Sequence, residues 1–457
     1  MPPIIAALLC TIFILAIFIV DFKREPNVSH ALWIPLIWLL IIASRPLVQW
    51  LVPQADVIGG LEESMLTGSP IDRAVLSVLI VTGTLILWRR AINWGHLFRN
   101  NLWIFLFFLY AGMSILWSDY SDVAFRRWVK ALGGFLMVLI VMTELDPSEA
   151  IKTLIKRIAY VLIPISILLI KYYRHLGVGY GFWDGSEYLV GVTTGKNELG
   201  RLCLICGFVF ICHFLTMARD KYLSTDKKEL LIDIFIVFLI VWLLKLSNSA
   251  TSLASMIVGV FVFIGMGFPI FRRNPKVVPV FFAAGIFIIF ILQSMFDIRE
   301  VIVTTLGRDI TLTERTFLWK DLLKINTNPL FGVGFSSFWL GDQLKTLWES
   351  HWRGIGEAHN GYLEIYLDLG FIGLFLLGGI IVSSYRKIIK SMASDFDFGR
   401  FEFAFLIIVL IYNITESAFR TFSLMWYIFL LISTNYSNII RTQPAIVNNN
   451  GSNNEPL

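Results

Sequence analysis

Apolar runs of membrane-spanning length recur along almost the whole chain. A bilayer core of about 30 Å needs roughly 20 apolar residues in a helix, and lipid offers no partner for unpaired backbone groups, so such runs predict helices. Thirteen candidate spans cover residues 4–20, 30–43, 74–88, 102–117, 128–144, 158–173, 199–217, 230–247, 250–269, 277–296, 361–383, 401–416 and 423–440. Only 16% of the residues are charged, against about 25% in soluble domains. The sequence therefore predicts an all-α polytopic membrane protein with about 12–13 transmembrane helices, and it excludes an ordinary cytosolic enzyme.

The distribution of Lys and Arg predicts the orientation of these spans. One alternating set of connections holds 20 Lys and Arg, whereas the other set, without its longest loop, holds 7. Because cytoplasmic loops carry the excess of positive charge, the first set is predicted to be cytoplasmic, with the N-terminus outside and the C-terminus inside. The net charge of +5 is ordinary for a membrane protein and indicates no nucleic-acid partner.

Two long external connections divide the chain. Residues 1–300 are predicted to hold the first ten spans with short loops, 361–440 the C-terminal spans, and 441–457 a disordered cytoplasmic tail. Residues 297–360 form a long external loop, and loops of that length are usually functional. Within this loop, residues 311–325 predict an amphipathic helix whose apolar face is Leu318, Leu322 and Ile325. The second connection, residues 174–198, is rich in glycine.

The end of the long loop carries candidate chemistry. On a helix, Asn360, Glu364 and Asp368 are four residues apart and share one face. Carboxylates inside a span are costly and normally face the bundle or a wet cavity. His359 is predicted at the external boundary, where a neutral imidazole takes up a proton near neutral pH. The alternative is an interfacial histidine beside a polar helix-packing stripe.

Several cations lie in the predicted external connections despite the charge bias. They are Arg308 and Arg315 in the long loop, Lys196 and Arg201 beside the glycine-rich loop, and Arg126 and Arg127. Guanidinium groups bind phosphate oxygens through two parallel hydrogen bonds, so these residues are candidates for phosphate binding. The alternatives are that Arg126 and Arg127 anchor the protein at lipid headgroups, and that Arg315 pairs with Glu314 or Asp321.

Other chemistries lack their motifs. The sequence has no nucleophile elbow, P-loop, dinucleotide fingerprint or metal-ligand cluster. The D-x-D pattern Asp395-Phe396-Asp397 falls on the predicted cytoplasmic side, so metal-dependent sugar transfer has little support. Cys203 and Cys206 lie in an apolar run without further ligands, which indicates packing residues. No metal and no cofactor are predicted.

The motifs of the long loop resemble, in combination and order, those of the O-antigen ligase and polymerase superfamily of bacterial envelope glycan assembly. They are Gly307-Arg308, Thr313-Glu314-Arg315-Thr316 with Trp319, the segment 328–334, and His359-Asn360 with Gly370 and Gly373. Residues 114–118 and 195–200 are also similar, and residues 31–46 resemble the exopolysaccharide-polymerase branch. The similarity covers roughly residues 30–440, with its strong motifs in 300–375.

This resemblance implies a GT-C-like, multi-pass enzyme of the bacterial inner membrane with one large periplasmic loop and its active site facing the periplasm. Its donor would be an undecaprenyl-pyrophosphate-linked oligosaccharide, and its acceptor a glycan or lipid A-core. The reaction would be an inverting glycosyl transfer without a metal or nucleotide sugar.

The resemblance also implies residue roles. Arg315 corresponds to the arginine that holds the donor pyrophosphate, and His359 to the histidine that orients or deprotonates the acceptor hydroxyl. We add Glu357 as a residue that orients His359. Many members carry a further basic residue where this chain has Ala250, so the second pyrophosphate-binding cation is expected among Arg308, Lys196 and Lys245. The candidates for substrate binding are Asn360, Glu364, Arg126 and Arg201.

Several functional alternatives stay open. The favoured one is a polymerase of O-antigen or exopolysaccharide repeat units, with a chain-length regulator as a potential partner. The second is an O-antigen ligase that transfers glycan to lipid A-core, because both enzymes use the same donor chemistry. A transporter or flippase and a structural scaffold are the alternatives from other classes, but the sequence lacks the internal repeat of many transporters.

Overall fold

The computed structural model describes residues 1–23, 27–51, 69–181, 185–219, 227–279, 281, 315–350 and 355–435. Described residues 1–219 form α1 Pro3–Lys23, α2 Trp33–Ile42, α3 Leu47–Leu51, α4 Pro70–Arg89, α5 Trp94–Asn100, α6 Leu102–Met113, α7 Ser121–Met142, α8 Pro147–Tyr172, α9 Arg174–Gly177, β1 Val178–Tyr180, β2 Glu187–Leu189 and α10 Lys196–Arg219. The remaining helices are α11 Lys227–Leu246, α12 Ala250–Met266, α13 Pro269–Arg273, α14 Arg315–Leu322, α15 Gly341–Ser350, α16 Gly361–Ser391, α17 Phe396–Thr415 and α18 Leu424–Ser433. The two strands form an antiparallel hairpin in the glycine-rich loop, with Gly179 opposite Tyr188.

The prediction of an all-α polytopic membrane protein is confirmed. Helices cover twelve of the thirteen predicted spans, and most of the remaining one, 277–296, lies outside the described residues. Among the described helices, six are long and apolar enough to cross a membrane, and a seventh span is obtained if α5 and the segment Leu102–Trp117, bent by 87°, count as one. Three further apolar helices are shorter, at His30–Ile42, Ala250–Met266 and Leu424–Ser433.

Some helices extend well beyond the predicted spans because their ends are amphipathic. Helix α8 begins at Pro147, eleven residues before the predicted span, and its N-cap Asp146 accepts a hydrogen bond from the Glu149 amide at 3.0 Å. A side-chain cap of this kind satisfies a backbone donor that would otherwise lack a partner. The charged first turns of α8 are therefore part of the helix, although their polar residues kept them out of the membrane span predicted from the sequence.

Ion pairs join the predicted cytoplasmic ends of several helices. Arg157 Nε lies 2.8 Å from Asp21 Oδ2, and Lys156 Nζ lies 2.6 Å from Asp233 Oδ2. These pairs tie the first half of α8 to the end of α1 and to the start of α11. At the other end of the bundle, buried Arg45 donates to carbonyl groups of the glycine-rich loop, including Leu176 at 2.7 Å and Gly191 at 2.8 Å. The contacts agree with the predicted alternation of the connections.

Helix α16 is broken at Gly370, and a segment of the long loop fills the break. Gly370 has φ 62° and ψ −161°, which an L-residue other than glycine rarely adopts. A Cβ at Gly370 would lie 2.3 Å from the Leu330 carbonyl, and one at Gly332 would lie 2.4 Å from the carbonyl of Asp368. The backbone bonds across the break run from Val333 N to Leu367 O (3.1 Å), Gly334 N to Asp368 O (2.9 Å), Phe371 N to Pro329 O (2.9 Å) and Ile372 N to Leu330 O (3.3 Å). The loop is therefore fastened directly to the helix that follows His359.

The amphipathic helix predicted at 311–325 is confirmed where the structure describes it, as α14. Leu318 and Leu322 are fully buried in a small apolar cluster with Phe338, Trp339 and Leu344. This cluster is separate from the main core of the bundle. The long loop thus has its own packed core, which holds α14 at a defined position next to α16.

Candidate active site

Three segments far apart in the chain meet at the predicted external end of the bundle: the start of α14, residues 355–360, and the turn after α17. Arg315 begins α14, and its Nη2 lies 2.9 Å from Glu416 Oε1. Its Nη1 donates to the carbonyl oxygen of Thr415. Hydrogen bonds and charge therefore tie the loop arginine to the end of α17. The alternative from the sequence was that Arg315 pairs with Glu314 or Asp321. Glu314 lies outside the described residues, and the ion pair found for Arg315 is the long-range one with Glu416.

His359 lies on the other side of Glu416. Its Nδ1 is 3.0 Å from Glu357 Oε1 and 3.7 Å from Glu416 Oε2. Although these distances suit ion pairs, Nδ1 makes no well-aligned hydrogen bond to the described residues. Glu416 therefore stands between Arg315 and His359, and the three side chains form one cluster with Glu357. We call Arg315, Glu357, His359 and Glu416 the loop cluster.

The backbone holds His359 in a constrained conformation. His359 has φ 50°, in the left-handed region, and Asn360 follows as the N-cap of α16. The Asn360 Oδ1 accepts hydrogen bonds from the amides of Tyr362 and Leu363, both at 3.0 Å. The Asn360 amide donates to Ser417 Oγ at 3.1 Å, and the Gly361 amide donates to Glu416 O at 3.1 Å. The chain therefore turns sharply at His359, and the same bonds fix Glu416 beside it.

Ala358, next to His359, is held from two directions. Its amide donates to Glu364 Oε1 at 2.6 Å, and its carbonyl accepts from Trp319 Nε1 at 2.7 Å. Glu364 is buried, and its Oε2 also accepts from Trp339 Nε1 at 2.8 Å. Because Trp319 is on the helix that Arg315 begins, this chain of bonds sets the position of His359 relative to Arg315.

Asp368 lies one turn further along α16 and fastens the other end of the loop. Its Oδ1 accepts from the amides of Ser337 and Phe338, both at 3.2 Å. Glu364 and Asp368 therefore face the long loop together, which confirms the shared face predicted from their spacing. Glu364 accepts from one backbone and one indole N–H group of the loop, and Asp368 accepts from two backbone N–H groups.

The electrostatics of the loop cluster favour a charged histidine. Burial alone would lower the pKa of His359, but the carboxylates of Glu357 and then Glu416 raise that pKa to about 10. Burial would raise the pKa of Glu357, but His359, Arg420 and Arg201 together lower it to about 2. At neutral pH the pair is therefore an imidazolium beside a carboxylate.

Two further arginines lie next to the loop cluster. Arg420 Nη1 is 3.5 Å from Glu357 Oε2, and Arg201 Nη1 donates to Ser423 Oγ at 3.2 Å. Arg201 also pairs with Glu198 at 3.4 Å, one turn before it on α10. Guanidinium groups from α10, α14 and the turn after α17 thus surround two carboxylates and an imidazolium. An arrangement of this kind can bind the oxygen atoms of an anionic group.

Comparison with known proteins agrees with this geometry. A family profile described as "O-Antigen ligase" matches residues 235–378, which include Arg315 and His359. This match supports the resemblance of the chain to the O-antigen ligase and polymerase superfamily, a family of membrane glycosyltransferases of the ligase and polymerase type. The resemblance predicted from the loop motifs is therefore confirmed.

Two curated proteins are similar to the chain over long stretches. The chain is 26% identical over 307 residues to the "Exopolysaccharide production protein ExoQ" of Rhizobium meliloti, an alignment that covers 65% of the chain and 67% of the relative. It is 24% identical over 223 residues to a "Putative polysaccharide ligase" of Rickettsia felis, which covers 47% of the chain and 54% of that relative. The chain thus spans about half the length of this second relative. No solved structure gives a significant match to the chain.

The other candidate site residues lie in different parts of the structure. Lys196 begins α10 and lies over the Tyr188 ring at 6.0 Å. Arg126 is exposed near the start of α7, and Lys245 is exposed in the last turn of α11. Arg308 lies outside the described residues. The contributions of these four residues to substrate binding stay predictions.

Sequence reasoning missed Glu416 and Arg420 as site residues. Both follow α17, beyond the stretch matched by the family profile. A weak signal existed, since Arg420 is one of the few cations in the predicted external connections and Glu416 ends a predicted span. Neither residue belongs to a local motif, so only the packing of α17 against α16 shows their proximity to His359.

The carboxylates and imidazole of the loop cluster would also suit a metal ion by geometry. Ligand atoms of Glu357, His359 and Glu416 all lie within 4.8 Å of one another. However, Glu416 is already paired with Arg315, and Glu357 lies beside Arg420. The charges of the two carboxylates are therefore balanced by guanidinium groups, and a bound metal would compete with them.

Proposed function

We propose that the protein transfers a glycan from an undecaprenyl-pyrophosphate-linked donor to the hydroxyl group of an acceptor sugar, with inversion and without a metal. The reaction takes place on the periplasmic side of the bacterial inner membrane. The observation that carries this proposal is the loop cluster, in which Glu416 bridges Arg315 and His359 at the external end of the bundle. The motif resemblance and the family match support the donor chemistry.

In this proposal, guanidinium groups hold the pyrophosphate. Arg315 binds its oxygen atoms, and Arg201 and Arg420 supply the cations that many superfamily members place where this chain has Ala250. Negative charge develops on the pyrophosphate as the bond to the anomeric carbon breaks. Fixed donors aimed at such developing charge are typically worth a factor of about 10²–10³ in rate.

His359 orients the acceptor. The acceptor oxygen forms its bond to the anomeric carbon from the face opposite the pyrophosphate, which leaves with the bonding electron pair. Because His359 is an imidazolium at neutral pH, it acts by orientation and charge, and the hydroxyl proton passes to a carboxylate of the loop cluster. Glu357 pairs with the His359 imidazolium and keeps the ring in place.

The placement of the loop cluster favours an enzyme over a transporter. Arg315, His359 and Glu416 lie at the ends of helices and in connections, whereas transport sites usually lie near the middle of the bilayer on broken helices. Helix α16 is broken at Gly370, but the backbone of the long loop occupies this break, so the break offers no site for a transported molecule.

The most favoured reaction is the polymerisation of exopolysaccharide or O-antigen repeat units. The relative with the longer alignment carries the name of an exopolysaccharide production protein, and residues 31–46 resemble the same branch. Ligation of a glycan to lipid A-core is the second candidate, favoured by the description of the family profile and the name of the second relative. A chain-length regulator fits the first candidate as a partner.

Purified protein supplied with a lipid-pyrophosphate-linked repeat unit tests the proposal. We expect longer glycan chains, and we expect Arg315→Ala and His359→Ala to reduce their formation at least about 100-fold with the fold intact. Lys324→Ala, a change at an exposed cation on the same loop, is the matched control and should be fully active. Full activity of both Arg315→Ala and His359→Ala would contradict the site assignment.

Deletion of the gene in its native host separates the two candidate reactions. Loss of secreted polysaccharide with unchanged lipopolysaccharide supports the exopolysaccharide polymerase. Loss of the O-antigen ladder from an intact core indicates the ligase or an O-antigen polymerase instead.

A further inference from the structure

A cavity lies at the end of the bundle opposite the loop cluster. Its volume is about 270 Å³, and it is enclosed by α8, α10, α12 and the start of α17. It reaches from Met217 to Val209 along α10, a depth of about 12 Å at a rise of 1.5 Å per residue. The positive-inside rule assigns this end to the cytoplasm.

The lining combines two kinds of side chain. Val209, Phe263 and Phe401 are apolar, whereas the charged side chains come from α8 and from the start of α17 with the cap before it. A site that combines apolar and charged side chains at the predicted membrane boundary suits a molecule with a charged headgroup and an apolar chain. Pockets of this kind between transmembrane helices are known to take lipid headgroups.

Most of the charged residues of this cavity already have partners. Lys156 pairs with Asp233 at 2.6 Å and Glu229 at 3.1 Å. Asp397 pairs with Arg219 at 2.5 Å and Arg400 at 2.9 Å. These pairs are structural, and Glu149, a further carboxylate of the lining, also has an interaction partner.

Two lining residues of opposite sign have no such partner. Among the residues that the structure describes, neither Lys152 nor Asp395 makes an ion pair. Lys152 is half-buried on α8, whereas exposed Asp395 is the N-cap of α17, where its Oδ1 accepts from the Phe398 amide at 3.0 Å. The cavity thus offers one cation and one anion on different helices.

We propose that this cavity binds the headgroup of a phospholipid of the phosphoethanolamine class. The phosphate lies at Lys152, the primary ammonium donates to the free oxygen of Asp395, and the start of an acyl chain runs along Phe263 and Phe401. Only a headgroup that carries both charges satisfies both residues. A phosphocholine headgroup has no N–H to donate, and a phosphoglycerol headgroup leaves Asp395 without a cation. The proposal is independent of the glycosyl-transfer reaction.

Native mass spectrometry of the detergent-solubilised full chain, titrated with short-chain phospholipids, tests this proposal. We expect phosphatidylethanolamine to bind more tightly than phosphatidylcholine, phosphatidylglycerol or inorganic phosphate. Lys152→Gln and Asp395→Asn should each weaken its binding about tenfold, the effect of losing one charge-assisted hydrogen bond. Asn caps a helix as well as Asp does, so Asp395→Asn removes the charge and keeps the start of α17.

Lys171→Gln is the matched control, because Lys171 is an exposed lysine at the other end of α8. It should leave the phosphatidylethanolamine affinity unchanged. Equal binding of phosphatidylglycerol or inorganic phosphate, or unchanged affinity in Lys152→Gln and Asp395→Asn, would overturn the proposal. Thermal unfolding of each variant without lipid checks that weaker binding does not come from a damaged fold.

Discussion

Glu416, which is 101 residues after Arg315 in the sequence, connects Arg315 to His359, with one carboxylate oxygen 2.9 Å from Arg315 Nη2 and the other 3.7 Å from His359 Nδ1. The carboxylate is buried, so its charge acts at low dielectric on both partners. When a pyrophosphate binds Arg315, it must compete with Glu416 for the guanidinium. Glu416 is therefore expected to control both the position of Arg315 and the charge of His359.

Glu416→Gln keeps the size of the side chain and removes its charge. We expect glycan elongation to fall about 100-fold, because Arg315 loses its ion pair and His359 loses one of the two carboxylates that raise its pKa. Rate measurement with a lipid-pyrophosphate-linked repeat unit checks this. Asp321→Asn, at an exposed carboxylate of α14, should leave the rate unchanged. Near-normal elongation by Glu416→Gln would show that the bridge plays no part in the reaction.

The stability of the protein should depend on pH through His359 and Glu357. The pKa of His359 rises from about 6.5 in the unfolded chain to about 10, so its contribution is complete below about pH 6.5 and is lost as pH rises toward 10. The pKa of Glu357 is lowered to about 2, so its contribution is present above about pH 4.5 and is lost as pH falls toward 2. Thermal unfolding midpoints across this range check both limbs. In His359→Gln, the fall of the unfolding midpoint toward pH 10 should be smaller than in the unchanged protein. The same midpoints in both proteins across this range would contradict the pairing of His359 with Glu357.

The activity profile distinguishes two roles of His359. If the imidazolium orients the acceptor, elongation should be constant through neutral pH and fall as pH approaches 10. A neutral histidine acting as a base would instead give a rate that rises through the same interval. Initial rates of elongation from pH 6 to pH 10, corrected for unfolding, decide between them, and a rising rate would refute the orienting role.

Gly370→Ala should destabilise the break in α16. A Cβ there would lie 2.3 Å from the Leu330 carbonyl, and the positive φ adds about 1–3 kcal/mol of strain. We expect a lower unfolding midpoint and a lower elongation rate, because the loop that carries Arg315 is fastened at this break. Gly378→Ala on the same helix is the control, since its added methyl group meets no atom within 4 Å. Equal stability of the two variants would be inconsistent with the break.

Arg157→Met should strongly destabilise the protein at the opposite end. It leaves Asp21 buried without its 2.8 Å partner, and breaking a buried ion pair in this way costs roughly 3–5 kcal/mol. Adding Asp21→Asn removes the unpaired charge and should recover part of the loss. Unfolding midpoints of the single and double variants in detergent measure the coupling, and a double variant no better than the single one would argue against it.

Much of the site could be predicted because its residues lie in local motifs. Arg315 and His359 each stand in a short pattern of the long loop, and the spacing of Glu364 and Asp368 places them on one helical face. The partners of these residues were less accessible. Pairing of Arg315 with Glu314 or Asp321 was one alternative from the sequence, whereas the structure pairs it with Glu416. An arginine can pair with a carboxylate that is near in sequence or with one that the fold brings close. Arg315 pairs with the distant Glu416 because Glu416 is buried and is held beside it by the turn after α17.

The sequence by itself determined the membrane class, the helices and the two motif residues, because apolar periodicity and short motifs are local properties of a chain. Only the tertiary structure decided that Glu416 and Arg420 join them, that His359 is an imidazolium, and that residues 329–334 fill the break at Gly370. Each of these depends on segments that are distant in sequence and meet through helix packing. A local sequence pattern cannot show such contacts, because the burial and the charge interactions of a side chain depend on which distant residues the fold places within a few ångströms of it.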